Sequence, residues 1–246
     1  MDQDKNNVCI LSWNSRGFNT DKQKMCKNML SIFSGNKTPI LCNQENFLLK
    51  ENTYKINQAL PNYIIKIKPA MKDNHDRGRP RNGMFVAIPK NNGWSIEDLS
   101  PDNYRIQAIR INMGTPFLII NTYLPCDNYN DNINELVEIL SIIRNVIDNS
   151  GVGQVIWTGD LNADFLRGTA HCVAIMDLIE ELGLMIAWDK FKVDFTSMHN
   201  RGDQSYTSTI DHFILSANSN KLATDAGVLH LIDNTSDHNP IYLTLK

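Results

Sequence analysis

The chain has 246 residues, 42% of them hydrophobic and 21% charged, with a formal net charge of −3. That composition is ordinary for a soluble globular protein. No stretch approaches the ~20 apolar residues of a membrane span, and the polar start Met1-Asp2-Gln3-Asp4-Lys5-Asn6-Asn7 is no secretory signal.

A β-branched, apolar run at residues 8–13 predicts the first strand. Helical spacing follows at 21–33, where Met25, Met29 and Ile32 share a face and Thr20 is a candidate cap. Strand-like runs occupy 39–44, 63–67, 84–88, 105–111 and 117–123, with Asn, Asp, Gly and Pro marking the turns between them. Residues 134–148 read as a helix with Leu136, Leu140, Ile143 and Ile147 on one face. A strand at 155–158 precedes a second amphipathic stretch at 170–182, with Val173, Met176, Ile179 and Leu182 aligned and Gly183 as its stop. Strands at 210–215, 228–232 and 241–245 complete the chain. Sheets with helices returning on their outer faces make a layered α/β sandwich. Without repeat, low-complexity tract or long linker, residues 1–246 read as one domain, burying about 70–75% of its unfolded surface.

The five cysteines, Cys9, Cys26, Cys42, Cys126 and Cys172, are scattered and form no CxxC pair, which argues against zinc and redox sites. Cys9 and Cys42 lie inside apolar runs, as small core residues do. A reducing, intracellular compartment fits this usage. Between residues 64 and 90 seven basic side chains, among them Arg77, Arg79 and Arg81, face only Asp73 and Asp76. Phosphate contact needs local rather than global positive charge, although a solvated loop carries the same signature.

Chemistry gathers where strands give way to turns. Glu45 follows the run at 40–44, a rigid place from which to present a carboxylate, and Mg²⁺ takes few protein carboxylates beside water and phosphate oxygens. Asn14 ends the first strand, where its amide can hold a carboxylate or a metal-bound water, or simply close an Asx turn. In Gly159-Asp160-Leu161-Asn162, Asp160 and Asn162 point the same way if the extended backbone continues. His238, in Ser236-Asp237-His238, suits a base or transition-state partner, since its ring titrates near neutrality. Asp211 is the candidate orienter, and Asp237 the acid on the metal or water side. Tyr123 offers a phenol, either to a phosphate or to a neighbour within a strand. His75, His171, His199, His212 and His230 lack comparable context and read as surface or core histidines.

Together these segments resemble the endonuclease/exonuclease/phosphatase family, in the family's order: Trp13-Asn14, Gln44-Glu45, Asn121-Thr122-Tyr123-Leu124-Pro125, Gly159-Asp160-Leu161-Asn162, Ser208-Thr209-Ile210-Asp211 and Ser236-Asp237-His238. The resemblance implies a four-layer α/β sandwich, two mixed β-sheets face to face with helices outside, and a metal site at one edge. It implies Glu45 as the principal Mg²⁺ ligand, Mn²⁺ substituting, with Asp237 in support and Asp211–His238 as a dyad. Asn14, Tyr123, Asp160 and Asn162 would surround the scissile phosphate.

Within that family the chain is most similar to endonuclease domains of LINE-type non-LTR retrotransposons. Arg77-Gly78-Arg79-Pro80-Arg81-Asn82-Gly83-Met84-Phe85-Val86 and Phe195-Thr196 with Tyr206-Thr207-Ser208-Thr209-Ile210-Asp211 carry the likeness. Thr196, Ser208 and Ser236 join Arg77, Arg79 and Arg81 as expected DNA contacts. The implied activity nicks one strand of double-stranded DNA, leaving 3′-hydroxyl and 5′-phosphate ends, as in target-primed retrotransposition. The implied setting is nuclear and non-membrane, with a monomeric domain and a reverse-transcriptase domain in a longer parent polyprotein. The expectation is either an excised domain of such a polyprotein or a short standalone relative, and Asn82-Gly83 replaces the more usual Gly-Gly. The rivals are an abasic-site repair endonuclease, disfavoured by Ser208 where an aromatic is expected, and a catalytically silent binding module, disfavoured by the full acid and histidine set.

Overall fold

Strand alternation decides the architecture of the computed structural model, which describes residues 8–33, 39–72, 78–90, 93–127 and 132–246. The first half contains β1 (Val8–Asn14), α1 (Thr20–Ile32), β2 (Ile40–Gln44), α2 (Tyr54–Ala59), β3 (Tyr63–Lys68), β4 (Met84–Pro89), β5 (Ser95–Asp98), β6 (Ile106–Asn112) and β7 (Pro116–Tyr123). It continues through α3 (Ile133–Asn149), β8 (Gln154–Asp160), α4 (Ala170–Glu181), β9 (Leu184–Ile186) and α5 (Ala187–Lys190). A hairpin of β10 (Ser197–Arg201) and β11 (Gln204–Ser208) precedes β12 (Asp211–Ser216), α6 (Ala217–Leu222), β13 (Ala223–Val228) and β14 (Ile241–Leu245).

One sheet runs β13-β14-β1-β2-β4-β3 and the other β5-β6-β7-β8-β12-β9. Both are mixed, with β1–β2 and β7–β8 parallel. Ile10, Ile40, Val86 and Leu243 of the first sheet meet Ile109, Ile119, Ile156 and Phe213 of the second in a dry central layer. Intervening residues face outward, so Leu11, Leu41 and Phe85 pack against α1 and α2, and Leu118, Ile120 and Trp157 against α3 and α4. The result is the four-layer sandwich expected.

Toward one edge the inward positions turn polar. Period-two alternation carries Ile10 on to Ser12 and Asn14, Ile40 to Cys42 and Gln44, Ile119 to Asn121 and Tyr123, and Ile156 to Thr158 and Asp160. Register aligns them: Asn14 lies opposite Gln44, and Asp160 sits between Tyr123 and Asp211. Gln44 Nε2 donates across the gap to Asn121 Oδ1 at 2.6 Å, and Asn121 Nδ2 donates to Gln107 Oε1 at 3.1 Å. These buried amide contacts hold both sheets in one register at this edge.

Several sequence expectations are corrected. Asn19, not Thr20, caps α1 by accepting from Lys22 N, and Ile32 faces solvent while Cys26 and Leu30 turn inward. In α3 Ile139 joins Leu136, Leu140 and Ile143 inside, with Ile147 at the margin. In α4 the buried stripe is Cys172, Ile175, Leu178 and Ile179, while Val173 and Met176 are exposed. That helix is apolar on most of its circumference, so spacing alone did not choose its inner face. The strand expected at 228–232 lies upstream, at Ala223–Val228, where it pairs with β14. The strands β5, β9, β10 and β11 were not anticipated, being short or largely exposed and so lacking apolar alternation. Cys9 and Cys42 are fully buried, as expected. Among the described residues no helix is long and apolar enough to cross a membrane.

Gly159 is required by close approach. Its φ is +135°, and a Cβ there would stand 2.0 Å from the Thr122 carbonyl oxygen of the neighbouring strand. Gly159→Ala is expected to destabilise by on the order of 3 kcal/mol in urea unfolding, against about 0.5 kcal/mol or less for Gly153→Ala, which meets only a side-chain amide at 3.5 Å. Equal midpoints for the two variants would contradict the packing described.

Candidate active site

Asn14, at the end of β1, spans the centre of the polar edge. Its Nδ2 donates to Glu45 Oε2 at 2.9 Å and to Asp160 Oδ2 at 2.8 Å, while its Oδ1 accepts from Arg16 N at 3.1 Å. The Asx turn and the carboxylate contact are therefore both present in one residue. Asp211, paired with Asp160 across the ladder, receives His238 Nδ1 at 3.0 and 3.1 Å. The opposite ring nitrogen, Nε2, lies 3.8 Å from Asp160 Oδ2. Asp160, Asp211 and His238 are each at most 5% exposed.

Asp237 and His238 diverge although neither lies in a strand. His238 is anchored by its carbonyl, which accepts Trp13 Nε1 at 3.1 Å. Asp237 Oδ2 pairs with the Arg16 guanidinium and lies 3.2 Å from His199 Nδ1. Arg16 Nε is also 4.0 Å from Glu45 Oε2, so one cation links both acids. The sequence reading gave Arg16 no role and left His199 among the contextless histidines. Arg16 was legible in part, two residues past Asn14, but His199 reaches Asp237 only because the β10–β11 hairpin folds back.

The strand does not continue beyond Asp160, so the condition for Asp160 and Asn162 to point the same way by strand alternation is not met. Asn162 has φ +51°, its backbone N donates to Asp160 Oδ1 at 2.9 Å, and its Nδ2 donates to the Leu124 carbonyl at 2.8 Å. The turn, rather than strand alternation, brings it beside the acid. Thr196, expected as a DNA contact, is instead fully buried. Its hydroxyl accepts Ile210 N and Asp211 N, each at 3.0 Å, fixing the backbone that carries the dyad acid. Ser236 likewise braces the site, donating to the Asn14 carbonyl at 2.8 Å and accepting His238 N at 3.2 Å. Ser208 lines a separate groove with His199 and Arg201.

A cavity of about 490 Å³ adjoins these residues, lined by Glu45, Tyr123, Arg79, Arg81 and Arg105 among others. The Arg79 guanidinium stacks 4.0 Å from the centre of the Phe47 ring. Arg77 lies outside the described residues.

Charge and burial set the protonation states. Burial opposes a charge on His238, but the Asp211 and Asp160 carboxylates overcome it and push the pKa up to about 10. Asp160 moves upward because burial, and then the Asp211 charge, disfavour its ionised form against the pull of His238. The Tyr123 phenol is raised by burial and by Glu45 and Asp160, so it remains a proton donor. Two groups have metal-ligand chemistry. Asp160, Asp211 and His238 each bring one ligand atom within 4.8 Å of the others, but Asp211 is already paired with His238. Glu45 and Asp237 supply only oxygens, and Asp237 Oδ1 is buried without a hydrogen-bond partner, an orphaned acceptor that a hard cation would satisfy.

Because His238 is raised from 6.5 to about 10, its contribution to stability is complete below pH 6.5 and is lost as pH rises through 10. Asp211→Asn removes the principal partner and is expected to bring the ring's pKa down by at least about two units. Imidazole NMR titration in chelator reads this directly; an unmoved pKa would refute the pairing.

The model of the family described as endonuclease-reverse transcriptase matches residues 117–242. No curated protein matches the sequence. Among solved structures, AP endonuclease LMAP from Leishmania major superposes with a TM-score of 0.77 at 13% identity, covering 98% of this chain and 88% of that one. The 3′ phosphatase NExo from Neisseria, bound to product DNA hairpin, gives 0.74 at 17% identity, with 97% and 99% covered. The endonuclease domain of TRAS1, a telomere-specific non-LTR retrotransposon, gives 0.69 at 16% identity, with 97% and 98% covered. These superpositions show a shared fold, and the family match spans more than half the sequence: the chain belongs to the endonuclease/exonuclease/phosphatase family.

Proposed function

We propose that this chain is a Mg²⁺-dependent endonuclease that nicks one strand of double-stranded DNA, leaving 3′-hydroxyl and 5′-phosphate ends, with Mn²⁺ able to substitute. One observation carries the reading. A single amide, Asn14 Nδ2, ties Glu45 to Asp160, and Asp160 in turn faces His238. An oxygen-rich acid pair thus borders the same space as a charged imidazole. The local basic residues Arg79 and Arg81 beside Glu45 supply positive charge that a polyanion needs, while Arg105 is held by Glu135 at 2.9 Å.

Glu45 and Asp237 would hold the ion. When bound, Mg²⁺ neutralises charge on the scissile phosphate and on the departing oxygen. Asp160, its proton affinity raised by burial, takes a proton from the attacking water. His238, held charged by Asp211, directs its Nε2 proton at the negative charge building on the phosphoryl oxygens. This fits transition-state partner rather than base, the two roles left open by sequence. The Tyr123 hydroxyl and the Asn162 amide add donors to those oxygens, preorganised before attack. The new phosphorus–oxygen bond forms from water as the bond to the 3′-oxygen breaks, and that oxygen takes up a proton from solvent. In a retrotransposon the 3′-hydroxyl would prime a reverse-transcriptase domain acting in the nucleus.

Supercoiled plasmid incubated with protein in Mg²⁺ should be relaxed to nicked circles, and EDTA should abolish this. His238→Ala and Asp160→Asn should each lower nicking by about 10²–10⁴-fold with unchanged circular dichroism. Glu45→Ala should raise the Mg²⁺ concentration needed for half-maximal activity by at least about tenfold. Retained activity in His238→Ala, or DNA retained without cleavage under any divalent ion, would overturn the reading. Binding to duplex should also weaken as salt rises, with a log–log slope of several units.

A further inference from the structure

Just downstream of Asp160 and Asn162, Leu166 stands 97% exposed at the tip of a 3₁₀ turn, Phe165–Arg167. Its setting is rigid. Asp164 Oδ1 accepts Leu166 N at 3.2 Å, the Asp164 carbonyl accepts Arg167 N at 2.9 Å, and Asp164 Oδ2 accepts Thr209 N at 3.4 Å. Phe165 anchors the turn from below, its ring 4.4 Å from that of buried His212. The turn therefore presents an aliphatic side chain in a fixed direction, although a single exposed leucine does not by itself call for a partner.

The neighbouring surface indicates one. Arg167 of this turn lines a groove of about 470 Å³ whose far wall is the β10–β11 hairpin, with His199, Arg201 and Tyr206. Two arginines and an aromatic ring line the groove, and no carboxylate does. The groove leads to the catalytic edge, because His199 touches Asp237, and Ser197 forms a bridge with His238. Arg167 pairs with Asp164 at 3.5 Å and His199 with Asp237 at 3.2 Å, so Arg201 is the groove cation with no acid in its lining. An aliphatic tip beside it suits a polyanion with stackable apolar interiors rather than an apolar protein surface.

We propose that Leu166 is a wedge that enters the base stack of duplex DNA beside the scissile phosphate, while the Arg167–Arg201 groove holds the opened backbone. This rests on the nuclease reading above. Inserted aliphatic side chains part base steps and kink the duplex, which would free one phosphate for in-line attack. Tyr206, 52% exposed on the groove wall, offers a face on which a displaced base can stack. Leu166 is therefore a specificity-determining residue, selecting sites whose steps open readily.

The nick position would first be mapped on plasmid, then rebuilt as a short duplex carrying 2-aminopurine at the flanking step, and as the same duplex with a small bubble there. Wild type bound in EDTA should brighten the 2-aminopurine of the paired duplex, and Leu166→Met should do the same. Leu166→Ala should lose that signal, and its nicking should fall about tenfold on the paired duplex but only about twofold on the bubble, where opening is already done. Unchanged fluorescence and nicking in Leu166→Ala, or equal losses on both substrates, would overturn the wedge. A wild type that nicks neither substrate would instead overturn the nuclease reading on which the wedge depends.

Discussion

A carboxylate withdrawn from water needs donors, and at the polar edge Glu45 and Asp160 draw on the same one, the Asn14 side-chain amide. Because Asn14 is the last residue of β1 and Asp160 the last of β8, this contact joins the two sheets at the polar edge. Its carbonyl oxygen meanwhile turns Arg16 back toward Asp237. Loss of that amide would leave two acids undersatisfied and free an arginine that neutralises a third. Few other side chains in the chain have consequences on both sheets and on three charges at once.

The amide network behind it gives the edge its stiffness. Gln44, Asn121 and Gln107 replace the isoleucines that fill the same inward positions farther along the strands. An apolar filling would pack as well but would not specify register, whereas each amide accepts one arrangement of donors. In front of this frame, charge is arranged in alternation: Asp211, the His238 ring, Asp160, the Asn14 amide, Glu45, the Arg16 guanidinium and Asp237. The sequence of signs offsets much of the repulsion between neighbouring acids, although the Asp211 charge still pushes Asp160 upward. It also keeps His238 charged well into the alkaline range.

Much of this was legible from residue types. The inward strand runs and the acids and amides at their ends gave the sandwich and its edge, because period-two alternation and turn chemistry are local. Asp211–His238 and Glu45 were found through motif order, which is also local. What escaped depended on tertiary return. His199 acquires a role only when the hairpin closes onto Asp237, and Thr196 looks polar enough for a surface until its hydroxyl is taken by two backbone amides. The inner face of α4 escaped for a different reason, since a helix apolar on most sides has more than one acceptable stripe. Asn162 was assigned to the right neighbourhood by the wrong geometry, a turn having replaced the assumed extension.

Around the cavity and its rim, Arg16, Glu45, Phe47, Asn82 and Asn162 all adopt left-handed backbone, with φ between 47° and 62°. Only glycine and, to a lesser degree, asparagine take that conformation cheaply, so three of the five positions hold residues that disfavour their own backbone. Strain of this kind persists where surroundings over-determine it. For laboratory evolution the consequence is a narrow corridor. In saturation libraries at these codons most replacements would inherit a strain of about 1–2 kcal/mol, and the most stable members would be enriched in glycine and asparagine. New specificities would have to be sought in the outer turns, where the backbone is relaxed and side chains can be exchanged freely.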